Sequence, residues 1–261
     1  MSDRLCEKQI NLPEYETVYL EGKNTCNAAP VLFLHGWTIS TSPYRSSLIL
    51  LSQEYRVIAP DLPGFGKCTY PSSVPDHAGY VNCVAAFLKT LNIEKVHLIG
   101  HSGGGAVAIA LAATLPALVK SLTIVDSTGI PLGALPLVVR RRLVGMMMQT
   151  PKVKPMALLQ FTQSLLHNTA FHTENLIQSA WLALDKDLQS LMPQIQAPTL
   201  VLWGERDRFI PLELGYKFAQ SIPNAQILVA EGEYHEWAIF RPQRFVPFVL
   251  RFLNEIENPD G

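Results

Sequence analysis

Apolar residues along the chain follow two alternating patterns, one typical of buried strands and one typical of helices. Strand-type runs occur at Thr17–Leu20, Val31–Leu34, Arg56–Ala59, Lys95–Ile99, Ser121–Val125, Thr199–Trp203 and Gln226–Val229. Helical spacing occurs at Pro43–Gln53, Asp76–Leu91, Gly104–Leu115, Leu212–Ser221 and Pro242–Ile256. Strands that alternate with helices indicate βαβ units, so we predict a mainly parallel, doubly wound α/β sheet.

The alternation is interrupted in the middle third of the chain. Residues 129–196 show only helical patterns and helix breakers, and the strand-type runs resume at Thr199. We therefore predict an α/β core built from residues 1–128 and 197–261, with a helical cap inserted at residues 129–196.

Composition and charge narrow the class of protein. The 261 residues are 48% hydrophobic and 16% charged, which is typical of a globular chain with a sizeable core. A formal net charge of −1 gives no electrostatic reason to expect a nucleic-acid partner. The N-terminus lacks the apolar segment of a secretory signal, and the apolar runs are too short to span a bilayer. We expect a cytoplasmic protein without stable membrane insertion, and the sequence leaves its oligomeric state open.

The cysteines and scattered histidines do not have the spacing of a metal site. The four cysteines form no Cys-x-x-Cys pair and lie at Cys6, Cys26, Cys68 and Cys83. Free thiols in a reducing compartment account for them, and a Cys6–Cys26 disulfide stays open as an alternative. The histidines without ligand-like neighbours are His77, His167 and His172. We therefore expect no metal.

A glycine-rich turn follows the strand-type run at Lys95–Ile99. It reads Gly100-His101-Ser102-Gly103-Gly104-Gly105 and leads into a predicted helix, the context of a G-x-S-x-G nucleophile turn. Such a turn holds a serine Oγ above the edge of the sheet, and the glycines give the backbone room to pass. The amide after the serine then points towards a developing oxyanion at the helix N-terminus. Ser102 is therefore the candidate nucleophile.

The same glycines fit a second pattern. The segment Gly103–Ala108 matches G-x-G-x-x-A, and Asp126 ends the next predicted strand at about the spacing of a ribose-binding acid. A dinucleotide fingerprint should place its first glycine directly after the strand, in the first βα unit of its domain. Here His101 and Ser102 intervene and other strands come earlier, so a dinucleotide site is the less favoured interpretation.

Four further segments lie at predicted strand ends and contain recognisable motifs. They are Leu34-His35-Gly36-Trp37, the loop Asp61-Leu62-Pro63-Gly64-Phe65-Gly66, the segment Leu202–Pro211 with the pattern W-G-x-x-D-x-x-x-P, and Glu231–Trp237 around His235. With the serine turn, these motifs make the chain resemble the α/β-hydrolase superfamily over nearly its whole length. The order serine, aspartate, histidine is the one expected of that fold.

The resemblance implies a catalytic apparatus that needs no cofactor. It implies Ser102 as the nucleophile, His235 as the general base and Asp207 as the acid that orients the imidazole. It also implies an oxyanion hole formed by the amides of Trp37 and Gly103. We favour Asp207 over Asp126, although some members of the family carry their acid after the strand that ends at Asp126.

One position departs from the family pattern, and the other histidines have simpler interpretations. Tyr234 stands where a glycine usually precedes the catalytic histidine, which puts the conformation of that loop in doubt. We interpret His101 as a packing residue, His35 as structural support of the oxyanion loop, and His97 as a satisfied core residue.

The apolar content of the cap predicts the substrate. We expect residues 129–196 to form an apolar roof in which Met146, Met147 and Met148 adapt to different acyl shapes, while Arg140, Arg141 and Arg142 lie on a solvated face. The sequence therefore predicts a serine hydrolase for a small to medium hydrophobic carboxylic ester. Alternatives are a C–C hydrolase of ring-fission dienoates, a cyanohydrin or acyl-transfer enzyme, and a hydrolase-like ligand receptor.

Overall fold

The computed structural model describes residues 5–22, 28–69, 74, 76–149 and 153–258. Within these residues the strands are β1 (Leu5–Asn11), β2 (Glu16–Gly22), β3 (Val31–Leu34), β4 (Val57–Pro60), β5 (Val96–His101), β6 (Val119–Val125), β7 (Thr199–Gly204) and β8 (Ala225–Ala230). The helices are α1 (Arg45–Leu51), α2 (His77–Thr90), α3 (Gly103–Thr114), α4 (Leu135–Gln149), α5 (Pro155–Phe171), α6 (Thr173–Asp185), α7 (Leu212–Ser221), α8 (Trp237–Phe240) and α9 (Pro242–Glu257).

The strands form one sheet in the order β1-β2-β4-β3-β5-β6-β7-β8. Strand β2 runs antiparallel to β1 and to β4, and every other neighbouring pair is parallel. This topology confirms the predicted mainly parallel α/β sheet. Strand β1 was not predicted, because it is an edge strand whose side chains are buried only at Leu5 and are otherwise polar or partly exposed.

Side chains of the central strands alternate between two hydrophobic layers. Leu32 and Leu34 of β3 pack into the layer covered by α2, α3 and α7, whereas Val31 and Phe33 pack into the layer covered by α1, α8 and α9. A strand buried on both faces is apolar throughout, which is why these short runs were predictable from sequence.

Helices α4, α5 and α6 lie between β6 and β7 along the chain. This agrees with the absence of strand patterns in that stretch, while the division into a core and a cap at residues 129 and 196 stays a prediction. Of the disulfide alternative, Cys26 lies outside the described residues, and Cys6 is exposed on β1.

Candidate active site

The carboxyl ends of four neighbouring parallel strands meet at one edge of the sheet. Strand β5 leads into Ser102, β6 into Asp126, β7 into the turn that carries Asp207, and β8 into the loop that carries His235. Because parallel strands end on the same side, residues far apart in sequence come together here.

Ser102 occupies a sharp turn between β5 and α3. Its backbone has φ 54° and ψ −121°, a left-handed conformation that is costly for a residue with a side chain. The following helix packs very closely on β3, since a Cβ atom at Gly104 would lie 2.3 Å from the carbonyl oxygen of Leu34. That position therefore faces protein backbone, which argues against a dinucleotide site in these glycines.

A continuous chain of hydrogen bonds joins the three residues predicted as the catalytic triad. The Ser102 hydroxyl lies 3.0 Å from His235 Nε2, and His235 Nδ1 lies 2.7 Å from Asp207 Oδ2. All three side chains are buried. The other carboxylate oxygen of Asp207 accepts hydrogen bonds from the amides of Phe209 at 2.8 Å and Ile210 at 2.9 Å. These bonds fix the carboxylate relative to the imidazole.

Burial lowers the pKa of His235 from its usual value of 6.5, although the neighbouring Asp207 carboxylate acts in the opposite direction. The imidazole is therefore neutral at pH 7 and has a free lone pair for the Ser102 proton. Tyr234 replaces the glycine that usually precedes the catalytic histidine, but its backbone is not strained. The residue of this loop with a left-handed backbone is Gly232, with φ 72°, and Tyr234 is not among the described residues with positive φ.

The loop after β3 lies directly over the serine turn. A Cβ atom at Gly103 would lie 2.2 Å from Trp37 Cδ2, so the helix start packs against the Trp37 indole. Among the described residues, neither the Trp37 amide nor the Gly103 amide has a hydrogen-bond acceptor. His35 supports this loop, because its Nδ1 lies 2.8 Å from the Gly36 carbonyl and its Nε2 accepts from the Leu62 amide at 2.9 Å.

Sequence reasoning missed the role of His101, which is more than a packing residue. The Gly36 amide donates to the Tyr44 hydroxyl at 3.1 Å, and that hydroxyl lies 2.7 Å from His101 Nδ1. His101 Nε2 lies 2.8 Å from the His235 carbonyl, which can only accept, so Nε2 carries the proton and Nδ1 accepts from Tyr44. This network ties the loop after β3 to the loop that carries His235. The sequence signal for it was only the position of His101 beside Ser102.

Among the hydrogen bonds of the described residues, none joins Asp126 to His235, and the Asp126 side chain is instead hydrogen-bonded to that of Asp207. Asp126 Oδ1 accepts from the Gly204 amide at 2.8 Å and its Oδ2 accepts from the Trp237 indole at 2.7 Å. Complete burial and the nearby Asp207 carboxylate raise the pKa of Asp126 well above its ordinary value. Asp126 therefore braces the segments that carry Asp207 and His235.

The arginine and methionine run of α4 differs from the prediction. Arg142 is turned inward, where it forms an ion pair with the buried Glu236 and lies 4.9 Å over the Phe209 ring. Gln149 donates to the other Glu236 oxygen at 2.6 Å. Met147 and Met148 are exposed instead of lining a roof. The reason is helical phase: Val138, Arg142, Gly145 and Gln149 share the inner face, and this turns the outer methionines to solvent.

A cavity of about 170 Å³ opens above Ser102. Most of its lining is apolar and comes from the loop after β3 and from helices α4, α5 and α6, including Trp37, Ile39, Leu135, Val138, Phe161 and Leu184. Ser102, His235, Arg142 and Glu236 reach the same cavity. The hydroxyl and imidazole can therefore meet a ligand whose remaining surface is apolar.

The family model described as "Alpha/beta hydrolase family" matches residues 31–248, a span that includes every residue of this site. The chain belongs to the alpha/beta hydrolase family. It is therefore a hydrolase, and the resemblance read from its motifs is confirmed.

Relatives of this hydrolase carry names from two kinds of chemistry. A 2-hydroxy-6-oxononadienedioate/2-hydroxy-6-oxononatrienedioate hydrolase of Burkholderia vietnamiensis is 30% identical, with 94% of this chain and 95% of that protein covered. A 2-hydroxy-6-oxo-6-phenylhexa-2,4-dienoate hydrolase of Burkholderia cepacia is 28% identical, with 79% of this chain and 82% of that protein covered. The crystal structure of a bacterial membrane phospholipase A matches at TM-score 0.82 and 26% identity, covering 98% of this chain and 88% of that chain.

The Asp61–Gly66 loop of this hydrolase holds the inserted helices in place. The Gly66 amide donates to Asn168 Oδ1 at 2.8 Å, and Asn175 Nδ2 donates to the Gly64 carbonyl at 3.1 Å. Asp61 braces the loop by accepting from the Thr41 amide at 2.9 Å. This segment, which showed no direct chemistry in sequence, thus positions α5 and α6 over the site.

Two findings bear on cofactors and membranes. In the part of the chain that the structure describes, no group of three or more His, Cys, Asp or Glu side chains has the arrangement to hold a metal ion. Among the same residues, no helix has both the length and the apolar character needed to cross a bilayer.

Proposed function

We propose that this hydrolase cleaves small to medium hydrophobic carboxylic esters through an acyl-enzyme on Ser102. The observation that carries the proposal is the hydrogen-bonded chain from Ser102 through His235 to Asp207, which opens into an apolar cavity. A serine hydroxyl becomes an effective nucleophile when a neutral imidazole can take its proton, and here that imidazole is 3.0 Å away.

The reaction follows from these positions. Ser102 Oγ attacks the ester carbonyl while His235 Nε2 takes the hydroxyl proton, and the carbonyl oxygen becomes an oxyanion that the Trp37 and Gly103 amides stabilise. The imidazolium then gives its proton to the leaving alkoxide, so an alcohol departs and the acyl group stays on Ser102. Water attacks the acyl-enzyme with His235 again as base, which releases the carboxylic acid and restores the hydroxyl.

The charge arrangement of the cavity favours an uncharged acyl group. Arg142 is the one arginine or lysine among the described lining residues, and Glu236 already neutralises it. A substrate carboxylate would have to compete with this buried partner. We propose that the cap, residues 129–196, sets the acyl preference, since Leu135, Val138 and Phe161 contribute to the cavity wall.

The names of the dienoate hydrolases among the relatives favour a second candidate, C–C bond hydrolysis of a ring-fission dienoate. The same nucleophile and base would serve that reaction. A carboxylate of the dienoate would bind to Arg142. For this, the ion pair between Arg142 and Glu236 would have to break.

A substrate comparison tests both candidates. The wild type and Ser102→Ala are assayed with two kinds of substrate, nitrophenyl esters of increasing acyl length and a 2-hydroxy-6-oxo-dienoate. A fluorophosphonate is then used to identify the residue that it labels. We expect ester turnover and a label on Ser102, both lost in Ser102→Ala, with a rate loss on the order of 10⁴–10⁶. Faster turnover of the dienoate would favour C–C hydrolysis. Ligand-induced stabilisation without any turnover would favour a receptor.

A further inference from the structure

The exposed apolar side chains of this protein are concentrated on the cap. Among the described residues, fourteen large hydrophobic side chains are exposed, and thirteen of them lie in α4, α5 or α6. The fourteenth is Tyr216 on α7. Single exposed apolar residues are ordinary, but a concentration of this kind marks an interaction surface.

Helical phase places many of these side chains on the outer faces of the cap helices. Val139, Leu143 and Met147 of α4 follow one another at intervals of four, opposite the buried positions Val138, Gly145 and Gln149. Helix α5 exposes Met156, Leu159 and Leu166, and α6 exposes Ile177 and Trp181. We call these eight outward residues the apolar cap face.

Helices α4 and α5, which supply six of the eight residues of the apolar cap face, lie in a long stretch whose charges are all positive, whereas α6 also carries the exposed carboxylates Glu174 and Asp185. Residues 127–173 contain no aspartate or glutamate but five lysines or arginines, whereas the whole chain has 22 acidic and 21 basic residues. Arg142 forms an ion pair with Glu236, but Arg140 and Lys154 are exposed and can contact an anionic partner. Basic residues among exposed leucine, methionine and tryptophan are typical of a surface that lies in a lipid interface.

The mouth of the active-site cavity is next to this face. Leu135 and Ala180 both line the cavity and are themselves exposed. Leu135 begins the α4 helix that bears Val139 and Leu143, and Ala180 precedes Trp181. A ligand leaving an apolar phase at the cap would therefore enter the cavity that Ser102 lines.

We propose that the apolar cap face docks reversibly on an anionic phospholipid bilayer, with the cavity mouth turned towards the lipid. A second copy of the chain is the less suitable occupant, because residues 127–173, which carry most of the face, offer no carboxylate to Arg140 and Lys154 of a partner copy. Anionic headgroups would neutralise them. This docking is separate from the proposed ester chemistry and needs no membrane-spanning helix.

The test measures vesicle binding with a variant that cannot hydrolyse substrate. Ser102→Ala protein is floated with phosphatidylcholine vesicles, with and without phosphatidylserine. We expect binding that requires phosphatidylserine and weakens with salt. Arg140→Gln and Lys154→Gln should each lower the partition coefficient about fivefold. The double change Leu143→Gln with Met147→Gln should lower it about tenfold or more.

Matched controls lie outside the cap. Tyr216→Gln removes an exposed apolar side chain from α7, and Arg251→Gln removes an exposed cation from α9, so neither should change binding. All variants should keep the midpoint of urea unfolding of the Ser102→Ala protein, which shows that they are folded.

Three results would overturn the proposal. The first is that the protein does not bind vesicles, and the second is that the cap variants and their controls lose vesicle binding equally. The third is that the protein self-associates in sedimentation experiments without lipid, and that Leu143→Gln with Met147→Gln abolishes this self-association. Failure of ester turnover alone would refute the proposed function and leave the docking result standing, because the binding assay uses the Ser102→Ala protein.

Discussion

Replacing Asp207 by asparagine is a minimal change whose outcome the hydrogen bonds determine. One carboxylate oxygen accepts from the amides of Phe209 and Ile210, and the other accepts from His235 Nδ1 at 2.7 Å. The two amides can only donate, so the asparagine keeps its single oxygen towards them. Its NH₂ group must then face the imidazole.

This orientation reverses the tautomer of His235. Nδ1 becomes an acceptor for the new NH₂ group, the proton moves to Nε2, and Nε2 has no lone pair left for the Ser102 hydroxyl. A change of this kind in a serine triad costs about 10⁴ in kcat, equivalent to about 5.4 kcal/mol of transition-state stabilisation. The fold should survive, because the backbone donors of Phe209 and Ile210 stay satisfied.

Asp126→Asn is the matched control, since it is the same chemical change in a neighbouring buried carboxyl. The introduced amide can accept from the Gly204 amide or from the Trp237 indole, but not from both with one oxygen. We expect a stability loss of about 1–3 kcal/mol, the cost of one unsatisfied buried donor, with most of kcat retained. Trp237→Phe removes that donor, so the two changes together should cost less than their sum.

The assay combines kcat and kcat/KM on a nitrophenyl ester with urea unfolding of each variant. Collapse of activity in Asp207→Asn with an unchanged unfolding midpoint is the expected result. The reasoning is refuted if Asp126→Asn loses more activity than Asp207→Asn, because the acid of the triad would then be Asp126.

Three further outcomes follow from the site. Because burial lowers the pKa of His235 below 6.5, kcat/KM should stay high down to that pH and should fall only at lower pH, where the imidazole gains a proton. A fall of kcat/KM that begins above pH 6.5 as the pH is lowered would contradict this. Arg142→Met should reduce the free energy of unfolding by about 3–5 kcal/mol in urea melts, because Glu236 is left buried without its cation, and adding Glu236→Gln should restore part of the loss. Specificity constants should rise up to about fourfold per acyl methylene, starting from acetate, until the cavity is full, and should be unaffected by EDTA; a flat profile or metal dependence would contradict the proposed substrate and chemistry.

The sheet and the three triad candidates were predictable because each depends on a local pattern. Strands buried on both faces must be apolar, so β3, β5 and β7 stand out in the sequence. Ser102 and Asp207 follow such strands, and His235 follows β8, a mainly apolar edge strand that is only partly buried. Parallel strands bring their carboxyl ends to one edge. The sequence thus contains enough to predict their convergence.

The features that the sequence did not reveal depend on contacts between distant segments. Arg142 could be recognised as a charge on a helix, but its partner Glu236 lies 94 residues away. His101 is bonded to Tyr44 and to the His235 carbonyl, neither of which a turn motif predicts. Strand β1 lies at the edge of the sheet with six of its seven residues exposed or partly exposed, so it is mostly polar and its pattern resembles that of a loop.

The order of the strands also governs when activity can arise during protein synthesis. A ribosome releases β5 and Ser102 well before β7 and β8, which bring Asp207 and His235 to the outer edge of the sheet. In the proposed mechanism His235 is the base, so a growing chain that ends before β8 contains Ser102 without the residue that takes its proton. Nascent chains and fragments that end before Thr199 should be hydrolytically silent, so chemistry begins only when the last strands have joined.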